Sequence, residues 1–107
     1  MVTLKRVVFA KPAQRDLAAN VDYISLDNPR AAERVYRTIV ASTESLIDFP
    51  DIGRMGRLPD TRELQVTALP YMIAYQVDAR AITVLAIFHG ARDLKRAFAE
   101  RGKQIKR

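Results

Sequence analysis

Two consecutive apolar runs near the C-terminal end, Tyr71 to Val77 (YMIAYQV) and Ile82 to His89 (ITVLAIFH), constrain this chain more than any other stretch. Both are rich in β-branched and aromatic residues. The intervening Asp78-Ala79-Arg80-Ala81 is long enough to reverse direction, so the pair is predicted to form a β-hairpin. Alternation does not separate a wet face from a dry one. Tyr71, Ile73, Tyr75 and Val77 interleave with Met72 and Ala74, while Ile82, Val84, Ala86 and Phe88 interleave with Leu85 and Ile87. Strands apolar on both faces are covered from both sides. A chain of 107 residues has few helices to do that covering, which raises the question whether a partner supplies part of the second face.

This length predicts one domain, residues 1–107 with about 101–107 as a basic tail, and 49% hydrophobic residues suffice for a compact core. Cysteine is absent and histidine occurs once, which excludes disulfides, thiol nucleophiles and the usual Cys/His zinc sites. No cofactor or metal is expected. No basic segment followed by an apolar run opens the chain, and no apolar stretch approaches the roughly 20 residues that span a bilayer. The expectation is a cytoplasmic protein with no membrane partner.

The net charge of +6 is unevenly distributed. From Arg92 to Arg107 seven basic residues stand against Asp93 and Glu100, a surplus of +5 that leaves about +1 for the rest. Such a segment is attracted to polyanions or to an acidic protein partner, or serves only as a solubilising extension.

Taken in order, Leu4 to Phe9 reads as a first strand. Pro12 suits the first turn of a helix running to about Leu26, with Leu17, Val21 and Ile24 on one stripe with Ala13. Asn28 can cap a second helix whose first position is Pro29, and Val35, Tyr36, Ile39, Leu46 and Ile47 keep helical spacing until Pro50 stops it. These two helices form an antiparallel hairpin. Pro50 to Asp60, with two prolines, two glycines, Arg54 and Arg57, reads as a basic loop. Thr61 to Ala68 alternates as a third strand, and Leu69-Pro70 turns it into the central hairpin. After His89-Gly90, Ala91 to Glu100 is compatible with a short helix ended by Gly102. The predicted order is β-α-α-β-β-β-α: an α+β fold with an antiparallel sheet, an N-terminal helical hairpin on one face and a short C-terminal helix.

Catalytic signals are sparse. His89 is the natural proton carrier, Glu63 offers a carboxylate and Arg62 or Arg92 a phosphate clamp, but a lone histidine at a strand end is more often structural. Gly53 and Gly56 follow no predicted strand and precede no helix, so they do not form a nucleotide loop. Thirteen arginines against five lysines hint at phosphate or carboxylate recognition. Tyr23, Tyr36, Tyr71 and Tyr75 offer rings for base stacking, yet Tyr36 lies on a helical apolar stripe and Tyr71 and Tyr75 share a strand face, which reads as core packing. A plain nucleic-acid-binding module using the basic tail is a further reading. Basic residues do not interleave with aromatics along the sheet as that reading would require.

KPAQRDL, DNPRAAERV, FPDIGR, RELQV, PYMIAYQV and the later HGARD, in that order and spacing, resemble the RelE/ParE superfamily of type II toxins over nearly the whole chain. The resemblance implies a compact sheet carrying a helical hairpin, neutralised by a cognate antitoxin whose C-terminal segment wraps around it. Tyr71, Ile73, Tyr75, Leu85 and Ile87 are the expected antitoxin contacts. Two activities compete within the superfamily: ribosome-dependent messenger RNA cleavage, as in RelE-like members, and poisoning of DNA gyrase, as in ParE-like members. RelE-like nucleases typically carry an arginine where this chain has Met72, which cannot bind an anion. Arg92 matches a basic residue that nucleases often carry after the last strand, so Glu63, His89 and Arg92 form the alternative nuclease set. The helical hairpin and HGARD resemble ParE-like members more closely. That implies a non-enzymatic gyrase poison, with Arg54, Arg57, Arg62, Arg92, Lys95 and Arg96 as target contacts.

Overall fold

The computed structural model describes residues 5–90. The helix expected from Ala91 to Glu100 and the basic tail lie outside the described residues. Within them the order is β1 (Arg6–Phe9), α1 (Lys11–Ser25), α2 (Pro29–Asp48), β2 (Arg54–Met55), β3 (Arg62–Gln65), β4 (Tyr71–Val77) and β5 (Ala81–His89). The five strands form one sheet in the order β1-β5-β4-β3-β2, and the α+β class read from the sequence stands.

Both helices start as their sequences dictate. Pro12 sits in the first turn of α1, and the Asn28 side chain accepts the Ala31 N–H at 3.0 Å before Pro29 opens α2. Their inward residues, Ala13 and Leu17 of α1 with Val35, Ile39 and Leu46 of α2, are buried against Tyr71, Ile73 and Tyr75 of β4 and Ile82, Val84 and Ile87 of β5. Each large side chain so buried contributes roughly 1.5–3 kcal/mol, which is what holds the hairpin to the sheet. Tyr36, read as part of the apolar stripe, is instead 48% exposed at the margin of α2.

The central hairpin forms without glycine. Asp78 Oδ1 accepts the N–H groups of Arg80 and Ala81 at 2.8 and 2.9 Å, and these bonds hold its carboxyl below the ordinary range. The β3–β4 turn is closed by the Gln65 amide, which donates to the carbonyls of Leu69 and Tyr71 at 3.0 and 2.9 Å, while Ala68 takes φ +65°.

The structure adds three features to the expected plan. The first strand joins parallel, Arg6 to Phe9 beside Ala81 to Val84, so the sheet is mixed rather than wholly antiparallel. The stretch read as loop, Pro50 to Asp60, contains β2, which extends the edge of β3. Finally, Tyr75 pairs with Val84 but Ala74 pairs with Ala86, leaving Leu85 as an extra residue in β5. This bulge reverses the facing of β5: Ile82 and Val84 point to the helices before it, Ile87 after it, and Ala86 and Phe88 point away. With Ala74, Leu58 and Met72 they make a smaller cluster on the far face. On that face the chain's own residues bury Ala74, Ala86 and Phe88.

β1 ends at Phe9 opposite Val84, so beyond that point β5 has no strand on its outer side among the described residues. There the Ile87 N–H donates to Asp16 Oδ2 of α1 at 2.9 Å. A side chain thus replaces a strand at the bulge and ties helix to sheet. Asp16→Ala is expected to lower stability by about 1–3 kcal/mol, because it orphans a partly buried N–H. Urea unfolding measures this, and an unchanged midpoint would rule out the tie.

Candidate functional site

Residues 50–61, which carry two of the proposed target arginines, are held against the sheet by three side chains. The Tyr75 ring is fully buried under the helices, and its hydroxyl donates to Pro50 O at 2.8 Å while accepting the Gly53 N–H at 2.9 Å. A Cβ on Gly53 would stand 2.6 Å from that hydroxyl, which explains glycine in FPDIGR. Arg62 Nη1 donates to Gly53 O at 2.7 Å and to Asp51 O at 3.3 Å, and its Nε lies 3.6 Å from the Asp51 carboxylate.

Glu63, only 3% exposed, completes the bracket from the opposite face. Its Oε1 accepts from Arg54 Nη2 at 3.1 Å and its Oε2 from the Arg57 N–H at 3.1 Å. A buried carboxylate is stable only with such donors, so Glu63 organises the loop.

The predicted target contacts Arg54, Arg57 and Arg62 are therefore gathered at one sheet edge, but Arg54 and Arg62 are engaged in holding the loop. Around them Phe49, Ile52 and Met55 are 61%, 60% and 72% exposed. This apolar and basic edge was missed by reading the stretch as a plain basic loop; its signal is the three large apolar residues spaced through FPDIGRM. Arg92, Lys95 and Arg96 lie outside the described residues.

The alternative nuclease set is not assembled among the described residues. Glu63 pairs with Ala74 and His89 with Tyr71, three positions apart on β4, so the two side chains fall on opposite faces. Met72, at the position where RelE-like nucleases are expected to carry arginine, packs into the apolar cluster of Ala74, Ala86 and Phe88. No group of acidic or histidine side chains among the described residues could hold a metal ion.

The five expected antitoxin contacts are all buried in this chain. Tyr71, Ile73, Tyr75 and Ile87 belong to the core beneath the helices, and Leu85 is 9% exposed. Those side chains are taken up by the chain's own packing. Open apolar surface lies instead in a groove of about 410 Å³ lined by Phe9, Leu17, Val21, Tyr36 and Val40, alongside Gln14 and Ala18. A second cavity, about 470 Å³, opens where the far ends of β4 and β5 meet the helices. Asn20, Tyr23, Tyr71 and His89 give it polar groups, and Ile24, Val35, Leu69 and Pro70 give it apolar walls.

Tyr71 and Tyr75 share a strand face, and burial raises both phenols above their ordinary value of 10.0. The folded state thus favours the neutral phenol. This stability is fully present below about pH 10 and falls as pH climbs through the raised folded values. Urea midpoints should drop with rising alkalinity, and less so in Tyr75→Phe. At neutral pH Tyr75→Phe should itself lose about 1–3 kcal/mol, because Gly53 N–H and Pro50 O lose their partner.

The comparisons with known proteins converge. The family model ParE_toxin, described as "ParE toxin of type II toxin-antitoxin system, parDE", matches residues 7–94. The chain is 36% identical over 85 residues to "Putative toxin Y4kP" of Sinorhizobium fredii (strain NBRC 101917 / NGR234), covering 79% of this chain and 88% of that protein. It is 35% identical over 89 residues to "Toxin RelE2" of Caulobacter vibrioides, covering 83% and 99%. Its fold is that of the solved chromosomal ParDE TA system from P. aeruginosa, with a TM-score of 0.73 at 22% identity, covering 82% of this chain and 98% of that one. By the match from the first strand through the last, the chain belongs to the ParE toxin family of type II toxin-antitoxin systems.

Proposed function

We propose that this toxin is a non-catalytic poison of DNA gyrase, neutralised by a cognate antitoxin. The observation that carries the reading is the far face of the sheet. There Met72 is part of an apolar cluster, Glu63 is tied to Arg54 and the Arg57 N–H, and His89 stands on the other face. Phosphodiester cleavage needs donors and a proton carrier fixed around one phosphate. A poison needs only a shaped surface, and the edge bearing Arg54, Arg57 and Arg62 among Phe49, Ile52 and Met55 is the candidate, together with Arg92, Lys95 and Arg96.

Messenger RNA cleavage on the ribosome is the second reading, favoured by the 35% identity to Toxin RelE2. It would draw on His89 and Arg92.

The P. aeruginosa ParDE system pairs a toxin with its antitoxin, and the same partnership is proposed here. Since Tyr71, Ile73, Tyr75, Leu85 and Ile87 are buried, the antitoxin segment is placed on the apolar groove along the helical hairpin, with half-exposed Tyr36 as an anchor.

One titration addresses target and partner together. Purified toxin added to gyrase and supercoiled plasmid is expected to accumulate cleaved DNA, and antitoxin to suppress it. Tyr36→Ala toxin should need about tenfold more antitoxin, equivalent to about 1.4 kcal/mol. Unimpaired supercoiling at a large toxin excess would defeat the gyrase reading, and an unchanged antitoxin requirement would defeat the groove.

A further inference from the structure

Tyr71 and Tyr75 occupy equivalent places on β4, yet their hydroxyls fare differently. Tyr75 donates one hydrogen bond and accepts another. Tyr71 is 3% exposed, and its hydroxyl has no hydrogen-bond partner among the described residues. A buried hydroxyl left unmatched costs about 1–3 kcal/mol, a cost that a hydrogen-bonding group bound beside Tyr71 would remove. Burial raises the Tyr71 phenol above its ordinary value.

Tyr71 lines the 470 Å³ cavity, and the other polar groups there are also uncommitted in part. Asn20 spends its amide N–H on the Asp16 carbonyl at 2.8 Å, which leaves its own carbonyl oxygen as an acceptor. His89 stands edge-on to the Tyr71 ring, with centroids 5.2 Å apart and planes at 81°, and its ring nitrogens have no partner among the described residues. The remaining wall is apolar, including Val35, Leu69 and Pro70. Among the described residues, no lysine, arginine or carboxylate lines the cavity.

We infer that this cavity is a binding site for a nucleobase, an uncharged planar ring presenting hydrogen-bond donors and acceptors along one edge. The lining selects that chemistry. The described lining residues offer a phosphate no cation, and with the polar groups of Tyr71, Asn20 and His89 the cavity is unsuited to a purely aliphatic group. An amide carbonyl takes an exocyclic amino or ring N–H, the tyrosine hydroxyl bonds a ring nitrogen or carbonyl, and the apolar wall covers the faces of the ring. The volume of about 470 Å³ admits a ring of this size. The site lies on the helix side of the sheet, away from Glu63 and Met72, and it does not depend on which macromolecule the toxin attacks.

The test is titration of the full chain with adenosine, guanosine, cytidine and uridine, followed by NMR of the His89 imidazole and the Asn20 side-chain amide. At least one nucleoside should give saturable shifts. Tyr71→Phe keeps the packed ring and removes only the hydroxyl, so it should weaken that binding about tenfold, one hydrogen bond's worth, while leaving the melting midpoint unchanged or higher. Asn20→Ala should weaken it comparably. Absence of saturable shifts with all four nucleosides would overturn the inference, as would equal affinity in Tyr71→Phe. Binding of N-acetyl-tyrosinamide in preference to every nucleoside would overturn it in favour of a protein side chain.

Discussion

One tyrosine joins the parts of this molecule that would otherwise be independent. The Tyr75 ring is packed at 0% exposure between sheet and helices, and its hydroxyl carries the order of the core outwards to Pro50 and Gly53. The loop after α2 is thereby fixed at both ends. Gly53 is set where β2 begins, Arg62 can reach the Gly53 and Asp51 carbonyls, and Arg54 comes within reach of buried Glu63. Without the hydroxyl, the loop would lack the contact that ties it directly to the helix-side core. FPDIGR, RELQV and PYMIAYQV, separate in sequence, are one hydrogen-bonded assembly in space.

That assembly bears on function because it spends charges. Arg54 and Arg62, which in isolation look like anion receptors, balance Glu63 and the carbonyls and carboxylate of Asp51. Glu63, which in isolation looks like a general base, is the inner partner of that balance. What is left outward on this edge is partly guanidinium and largely apolar, which suits the docking role proposed for it. The far sheet face, closed by Met72, Ala74, Ala86 and Phe88 with Leu58, offers no fixed set of donors for a scissile phosphate among the described residues. Both facts favour a toxin that acts by occupancy.

Features that rest on local chemistry were legible in the sequence. Asn28-Pro29 marks the start of α2 because an amide cap and a proline act within one turn, and the aromatic and β-branched runs of β4 and β5 announce themselves residue by residue. Features that rest on pairing between distant segments were not. Nothing in Arg6 to Phe9 says that it will lie parallel to β5, and two residues are too few for β2 to show alternation. The extra residue Leu85 moves Ile87 to the helix face, where simple alternation puts Ala86 and Phe88. The burial of Tyr71, Ile73, Tyr75, Leu85 and Ile87 was hidden for a related reason: strands apolar on both faces do not reveal which side chains the rest of the chain will cover. Tyr36 erred in the other direction, since helical spacing places it near the stripe but not how far α1 extends over it.

The most direct measurement is messenger RNA integrity, mapped at single-nucleotide resolution on translating ribosomes incubated with the purified toxin. A chain whose Glu63 and His89 lie on opposite faces, and whose Met72 is packed in an apolar cluster, should leave the message uncut at every position. Cleavage within the ribosome-bound codon, abolished by His89→Ala, would contradict that account and would mean that this sheet assembles a nuclease centre around its one histidine.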